Sequence, residues 1–129
     1  MLDASAAIDM CLALDGFELL ASHDLVSPPL LPSEVISGLS ELRWRRQISK
    51  DLAEKAVLRV SGAPVRLERP DGHLRRTWDI ALRLGWAKTY DAEYVAVALA
   101  LGCPILTLDA RLQRGAGHIV RILGPADIA

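Results

Sequence analysis

Aromatic side chains make up only 5% of this chain, a single Phe with two Tyr and three Trp, so Leu, Val, Ile and Ala must fill the core. Cysteine is almost absent. Cys11 and Cys103 stand alone, with no CxxC and no Cys/His cluster, which argues against a disulfide scaffold or a zinc site. Both are expected to be small buried apolar residues in a reducing cytosol. His23, His73 and His118 share no ligand spacing. There is no charge of one dominant sign either. Lys and Arg total 15 against 16 Asp and Glu, a net charge of −1, which argues against a nucleic-acid footprint over the whole surface but leaves a local basic face open. No apolar run reaches the roughly 18 residues of a membrane span. No charged leader precedes an apolar run at the amino terminus, so no signal peptide is expected and the protein reads as cytoplasmic. A Gly-rich phosphate loop is missing, as is any Ser or Cys nucleophile with a paired base.

What is present suits one domain over 1–129: hydrophobic residues reach 51%, enough for a core at this length. Short β-type runs alternate with helical ones. Met1–Asp3 is a very short strand candidate, followed by an apolar helix to Leu14 with Ser5 placed to cap it. A short second helix is expected over Phe17–Ala21 and a strand over Leu25–Ser27. Pro32 opens a helix with Val35, Ile36, Leu39 and Leu42 at helical spacing, and Glu34 lies in its first turn. Ser49 caps the next helix, which runs through Val60, and Val65–Glu68 alternates like a half-exposed strand. The helix His73–Leu84 presents Leu74, Trp78, Ala81 and Leu82 on one side and stops at Gly85. The helix Tyr90–Leu101 then stops at Gly102 and leads to a strand, Pro104–Leu108. One helical turn over Ala110–Gln113, a turn at Gly115–Gly117 and a last strand, His118–Leu123, complete the chain. This alternation predicts an α/β fold in three layers, a central mainly parallel sheet flanked by helices.

Such sheets bind ligands at the carboxyl ends of their strands. Asp3 and Asp109 lie at strand exits, Glu34 and Asp91 in the first turns of helices, so all four can gather at one edge. Taken singly, each has a structural explanation: Asp3 and Asp109 cap the helices that follow them, and Glu34 and Asp91 complement helix N-termini. Taken together, four carboxylates repel one another, and burial makes their ionisation costlier. A divalent cation removes that penalty, with Mg²⁺ preferring oxygen ligands and keeping several waters.

The order Asp3-Ala-Ser5, Pro32-Ser-Glu34-Val-Ile-Ser-Gly-Leu39, Tyr90-Asp91-Ala-Glu-Tyr94-Val-Ala-Val-Ala98 and Thr107-Leu-Asp109-Ala-Arg-Leu112 covers nearly the whole chain. In it the chain resembles a PIN-domain ribonuclease, and most closely a VapC-type toxin of a toxin–antitoxin pair. The resemblance implies an Mg²⁺- or Mn²⁺-dependent endoribonuclease acting on RNA such as tRNA or rRNA. It also implies a cognate antitoxin whose tail occupies a groove, and a homodimer. Asp3, Glu34, Asp91 and Asp109 fall on the family's acidic quartet, with Asp3, Asp91 and Asp109 as metal ligands and Asp3 and Asp91 the direct ones. Ser5 and Thr107 fall on supporting hydroxyl positions, Thr107 beside the last acid. Only two residues precede Asp3, so the first strand is unusually short, as a start upstream of Met1 would explain. Glu93 is a further acid, read as a cap or rim residue on a different helix face from Asp91. Arg111 and Arg114, and more weakly Lys88, are candidates for RNA phosphates. The run Arg43-Trp44-Arg45-Arg46 reads first as a solvated face with Trp44 against the domain, and second as an RNA or antitoxin contact. The rivals are a non-catalytic binding module on the same fold with a degenerate acidic site, and a phosphoacceptor domain. The last class expects a Lys at the end of its final strand, where this chain has His118–Leu123 running into Gly124-Pro125.

Overall fold

The computed structural model describes residues 1–128, leaving Ala129, the last residue of the expected domain, outside the described residues. Its strands are short: β1 (Leu25–Ser27), β2 (Val65–Leu67), β3 (Ile105–Leu106) and β4 (Ile122–Leu123). β1 pairs parallel with β2, and β3 parallel with β4. The amino-terminal segment 1–3 joins the two pairs. Leu2 N–H donates to Val26 O at 2.9 Å, Leu106 N–H donates to Met1 O at 2.8 Å and Asp3 N–H donates to Leu106 O at 3.2 Å. Leu2 also forms a parallel bridge with Leu106. The order across the sheet is therefore β2, β1, segment 1–3, β3, β4. Chain order reverses between segment 1–3 and β3, and an open parallel sheet holds its ligand crevice at such a switch point. Asp3 and Thr107 sit there.

The helices are α1 (Ala4–Leu12), α2 (Leu31–Trp44), α3 (Lys50–Ser61), α4 (His73–Leu84), α5 (Tyr90–Leu101) and α6 (Ala110–Ala116). The first three pack on one another, and α4 packs along α5. Buried Leu2, Val35, Leu39, Val95, Val97, Ile105 and Leu112 form the centre of the core, the branched aliphatics that so few aromatics require. Fully burying one such side chain stabilises the fold by about 1.5–3 kcal/mol. α5 is buried from Tyr94 through Ala98, and Gly102, at φ +66°, ends it in the left-handed conformation that glycine adopts most readily.

Several expectations need correcting. Asp3, not Ser5, caps α1: its side chain accepts the Ala6 N–H. The helix ends at Leu12, and Leu14 is exposed. There Arg59 closes the last turn, donating to Cys11 O at 2.8 Å and to Ala13 O. The Phe17–Ala21 segment is a three-residue 3₁₀ turn, Glu18–Leu20. Gly115 is not a turn residue but lies inside α6, and glycine is needed there because a Cβ would come within 2.8 Å of the Trp86 ring. With α6 lengthened to Ala116, the last strand shrinks to Ile122–Leu123. Ala81 does not share the side of Leu74, Trp78 and Leu82: those three are exposed, while Ala81 faces inward with His73 and Thr77.

Candidate active site

Asp3 leaves the central segment of the sheet and is 5% exposed. Its Oδ1 accepts from the Ala6 N–H at 2.9 Å and from the Ser5 hydroxyl at 2.7 Å, while its Oδ2 accepts from the Thr107 hydroxyl. Ser5 Oγ in turn accepts the Leu108 N–H at 2.9 Å, and Thr107 Oγ1 accepts the Asp109 N–H at 3.0 Å. Each hydroxyl has one proton and directs it to Asp3. Their own 3.2 Å approach therefore carries no proton and adds no bond. This network fixes the turn after β3 against the start of α1. Burial raises the Asp3 pKa despite its three donors, and the charge on Asp109 adds to the rise.

Glu34 reaches the same edge from the first turn of α2, and Asp91 from the first turn of α5. Desolvation raises both pKa values, Glu34 being half-buried and Asp91 exposed at the surface with only its inner part desolvated. The Tyr94 phenol opposes the rise at Glu34, while Asp91, Asp3 and Glu93 add to it, as Asp109 and Asp3 do at Asp91. Asp3 and Asp91 thus each feel the charge of two or more of the other acids expected to gather, while Glu34 and Asp109 lie at opposite sides of them. Among the described residues, however, no three His, Cys, Asp or Glu side chains are placed closely enough to enclose an ion. Asp109 differs from its neighbours. Burial opposes its ionisation, but the backbone and side chain of Arg111 outweigh that and hold its carboxyl below the ordinary range. Its Oδ1 also accepts the Arg111 N–H at 2.8 Å and so caps α6. Capping and membership of the acid cluster coexist at Asp3 and Asp109.

Two buried polar atoms at this edge lack hydrogen-bond partners, Glu34 Oε1 and the Tyr94 hydroxyl. Their groups lie side by side: desolvation raises the Tyr94 pKa, and the charge on Glu34 raises it further. Neither atom meets hydrogen-bond geometry with a partner among the described residues, yet the phenol stands close enough to favour the Glu34 carboxylate. Donors of this kind, hard carboxylate oxygens with one left unpaired, suit Mg²⁺ or Mn²⁺ better than softer metals.

Sequence reasoning missed the setting of Glu93. Its carboxylate is largely buried and lies 3.2 Å from Nε2 of His73, at the start of α4. It also faces Glu34 closely enough to disfavour that group's ionisation. Helical offset from Asp91 alone suggests the rim. The signal that would have placed Glu93 inward is the packing of α4 on α5, which periodicity along α4 does not reveal.

The basic candidates diverge. Arg111 lies over the cluster, but its guanidinium already faces Asp109, with Nη2–Oδ2 at 3.4 Å. Arg114, in the last turn of α6, and Lys88, just before α5, are exposed. Trp44 is not against the domain: it is 84% exposed.

A family model described as "PIN domain" matches residues 1–117. The chain is 37% identical over 120 residues to "Ribonuclease VapC9" of Mycobacterium tuberculosis (strain ATCC 25618 / H37Rv), covering 88% of this chain and 87% of that protein. The same identity and coverage relate it to "VapC ribonuclease Mb0985" of Mycobacterium bovis (strain ATCC BAA-935 / AF2122/97). With "Ribonuclease VapC12" of Mycobacterium tuberculosis (strain ATCC 25618 / H37Rv) it shares 29% identity over 126 residues, 95% of each chain.

Proposed function

This chain belongs to the PIN domain family, and from that premise we propose that it is a metal-dependent endoribonuclease, the toxin of a toxin–antitoxin pair. The observation that carries the reading is the state of the acid cluster. Asp3, Glu34 and Asp91 come from three elements and oppose one another's ionisation, spread wider than a closed ion site, and this supports the reading. An arrangement that opposes its own charge stores affinity for a cation.

Asp3 and Asp91 are the direct ligands in this reading. Asp109 is a further ligand, and Glu34 completes the site directly or through water, as an ion that keeps several waters and few carboxylates allows. When bound, the ion supplies water activation and offsets the charge of the phosphodiester during in-line attack. The protein's own part is positional. Ser5 and Thr107 lock the Asp3 rotamer, and Thr107 also holds the backbone of Asp109. Arg111, Arg114 and Lys88 meet the RNA backbone, Arg111 once phosphate competes with Asp109 for its guanidinium.

The cognate antitoxin fits an apolar cavity of about 340 Å³ lined by residues of α1, α2 and α3, among them Cys11, Leu31, Val35, Ile36 and Val60. The exposed Leu74, Trp78 and Leu82, one helical turn apart on α4, suit a homodimer interface. No helix among the described residues is long and apolar enough to cross a membrane, and we place the protein in the cytoplasm.

Purified protein should cleave RNA with Mg²⁺ or Mn²⁺ and not in EDTA. Asp91→Asn should abolish cleavage with the circular dichroism spectrum unchanged. Cleavage that persists in EDTA would overturn the metal reading. Sequencing the 5′ ends of fragments after induced expression decides between tRNA and rRNA.

A further inference from the structure

α2 has two ends of different character. Its first turn brings Glu34 to the acid cluster, while its last residue is Trp44, 84% exposed on a chain with only two other tryptophans. Leaving an indole in water forgoes burial worth about 1.5–3 kcal/mol for a large apolar side chain. Around it, Arg43, Trp44, Arg46, Ile48 and Lys50 line an open pocket of about 450 Å³. Two cations beside this pocket have helical partners, Arg45 with Glu41 at 4.0 Å and Lys50 with Glu54 at 3.8 Å. These are solvent-exposed pairs that phosphate can displace. Arg43 and Arg46 face no carboxylate within 4.0 Å among the described residues. Arg46 has φ +57° and is the only non-glycine among the described residues in the left-handed region. Glycine would adopt that conformation at lower energy, yet a guanidinium stands there.

We propose that the α2–α3 turn is a subsite for single-stranded RNA, where an unpaired base stacks on Trp44 and Arg43, Arg46 and Lys50 bind the flanking phosphates. A flat aromatic face amid exposed cations is how proteins hold single strands with little regard to sequence. Trp44 lies ten residues beyond Glu34, so at ~1.5 Å per residue the platform stands roughly 15 Å along the helix from the acids, about a quarter-turn around its axis. A strand cleaved at the acid cluster can therefore bind the platform a few nucleotides from the scissile bond. The proposal rests on RNA being the substrate and extends that reading to how the strand is gripped.

Binding of a short fluorescein-labelled single-stranded RNA to the full-length protein, followed by anisotropy in EDTA, tests it without turnover. Trp44→Ala should weaken binding about five- to a hundredfold, while Trp44→Phe keeps most of the affinity. Arg43→Gln with Arg46→Gln should lower the slope of log affinity against log salt by roughly 0.7 for each phosphate that is no longer neutralised. With Mg²⁺ present, Trp44→Ala should raise KM and leave kcat unchanged, and all variants should melt with the wild type, since the altered side chains are exposed. Wild-type binding and KM in Trp44→Ala would overturn the proposal while leaving the nuclease intact. So would a Trp44→Ala protein that escapes its antitoxin but binds RNA normally, because the face would then belong to a protein partner. Trp44-dependent binding without any metal-dependent cleavage would instead support the subsite and refute the nuclease.

Discussion

The Thr107 hydroxyl donates to the carboxylate of Asp3 while accepting the backbone N–H of Asp109. A single side chain thus couples the two acids at the strand exits, which are separated by most of the chain.

Thr107→Val keeps the shape and removes both bonds. It leaves a buried carboxylate short of a donor, at a cost of about 1–3 kcal/mol. Urea denaturation should show that loss, and cleavage should fall by more than the unfolded fraction accounts for. Unchanged cleavage would show that Asp109 finds its position without this support.

Metal-free stability should depend on pH in a definite direction. Asp3, Glu34 and Asp91 hold their protons more tightly in the fold than in the unfolded chain, where carboxylates titrate near ~4. Their contribution is therefore fully present below ~4 and is lost as pH rises through the raised folded values. Asp109, held low, acts in reverse and loses its contribution on acidification. Asp24, fully exposed beside Arg66, is held low as well, but exposed pairs contribute little, so in EDTA the melting temperature should fall as pH rises above ~4. A rising profile would contradict the burial of the acids.

Mn²⁺ should reverse that decline. At a hundredfold excess over Kd, binding linkage adds about 2.7 kcal/mol at neutral pH. Asp91→Asn should melt at or above the metal-free wild type and respond only weakly to Mn²⁺. A large loss of stability would mean that Asp91 serves the helix end and not a cation.

Tyr94→Phe removes a buried hydroxyl without a hydrogen-bond partner. The variant should be as stable as the wild type, or more stable by about 1 kcal/mol. A clear loss in calorimetry would reveal that the phenol does bond Glu34 in solution.

Trp78→Glu places charge in the exposed stripe of α4. Light scattering should show a dimer becoming a monomer, with the helical content retained. A wild-type monomer at micromolar concentration would remove this face from consideration.

Much of this was legible in the chain. α5 begins and ends where Tyr90 and Gly102 predict, β1 is Leu25–Ser27, and Ser49 caps α3 through the Leu52 N–H. The acids could be brought to one edge from strand exits and first turns alone. The junctions between distant segments were not legible. Nothing in the spacing of Asp3 and Thr107 announces their bond, and His73 gains meaning only once α4 lies on α5. Periodicity located the apolar side of α4 but could not say whether it faces the core of this domain or another surface.

The burial of α5 has a consequence for genetics. Asp91 occupies its first turn, and Ala92 and Tyr94 through Ala98 are enclosed on every side. If Asp91 holds the proposed ion, a screen for inactive variants should therefore collect dense hits along this helix from two unrelated causes: lost chemistry at Asp91, and collapse at Val95, Ala96, Val97 or Ala98. Hit density would exaggerate the extent of the active site several-fold. Only soluble yield, scored beside activity for each variant, would separate the one acid from the scaffold behind it.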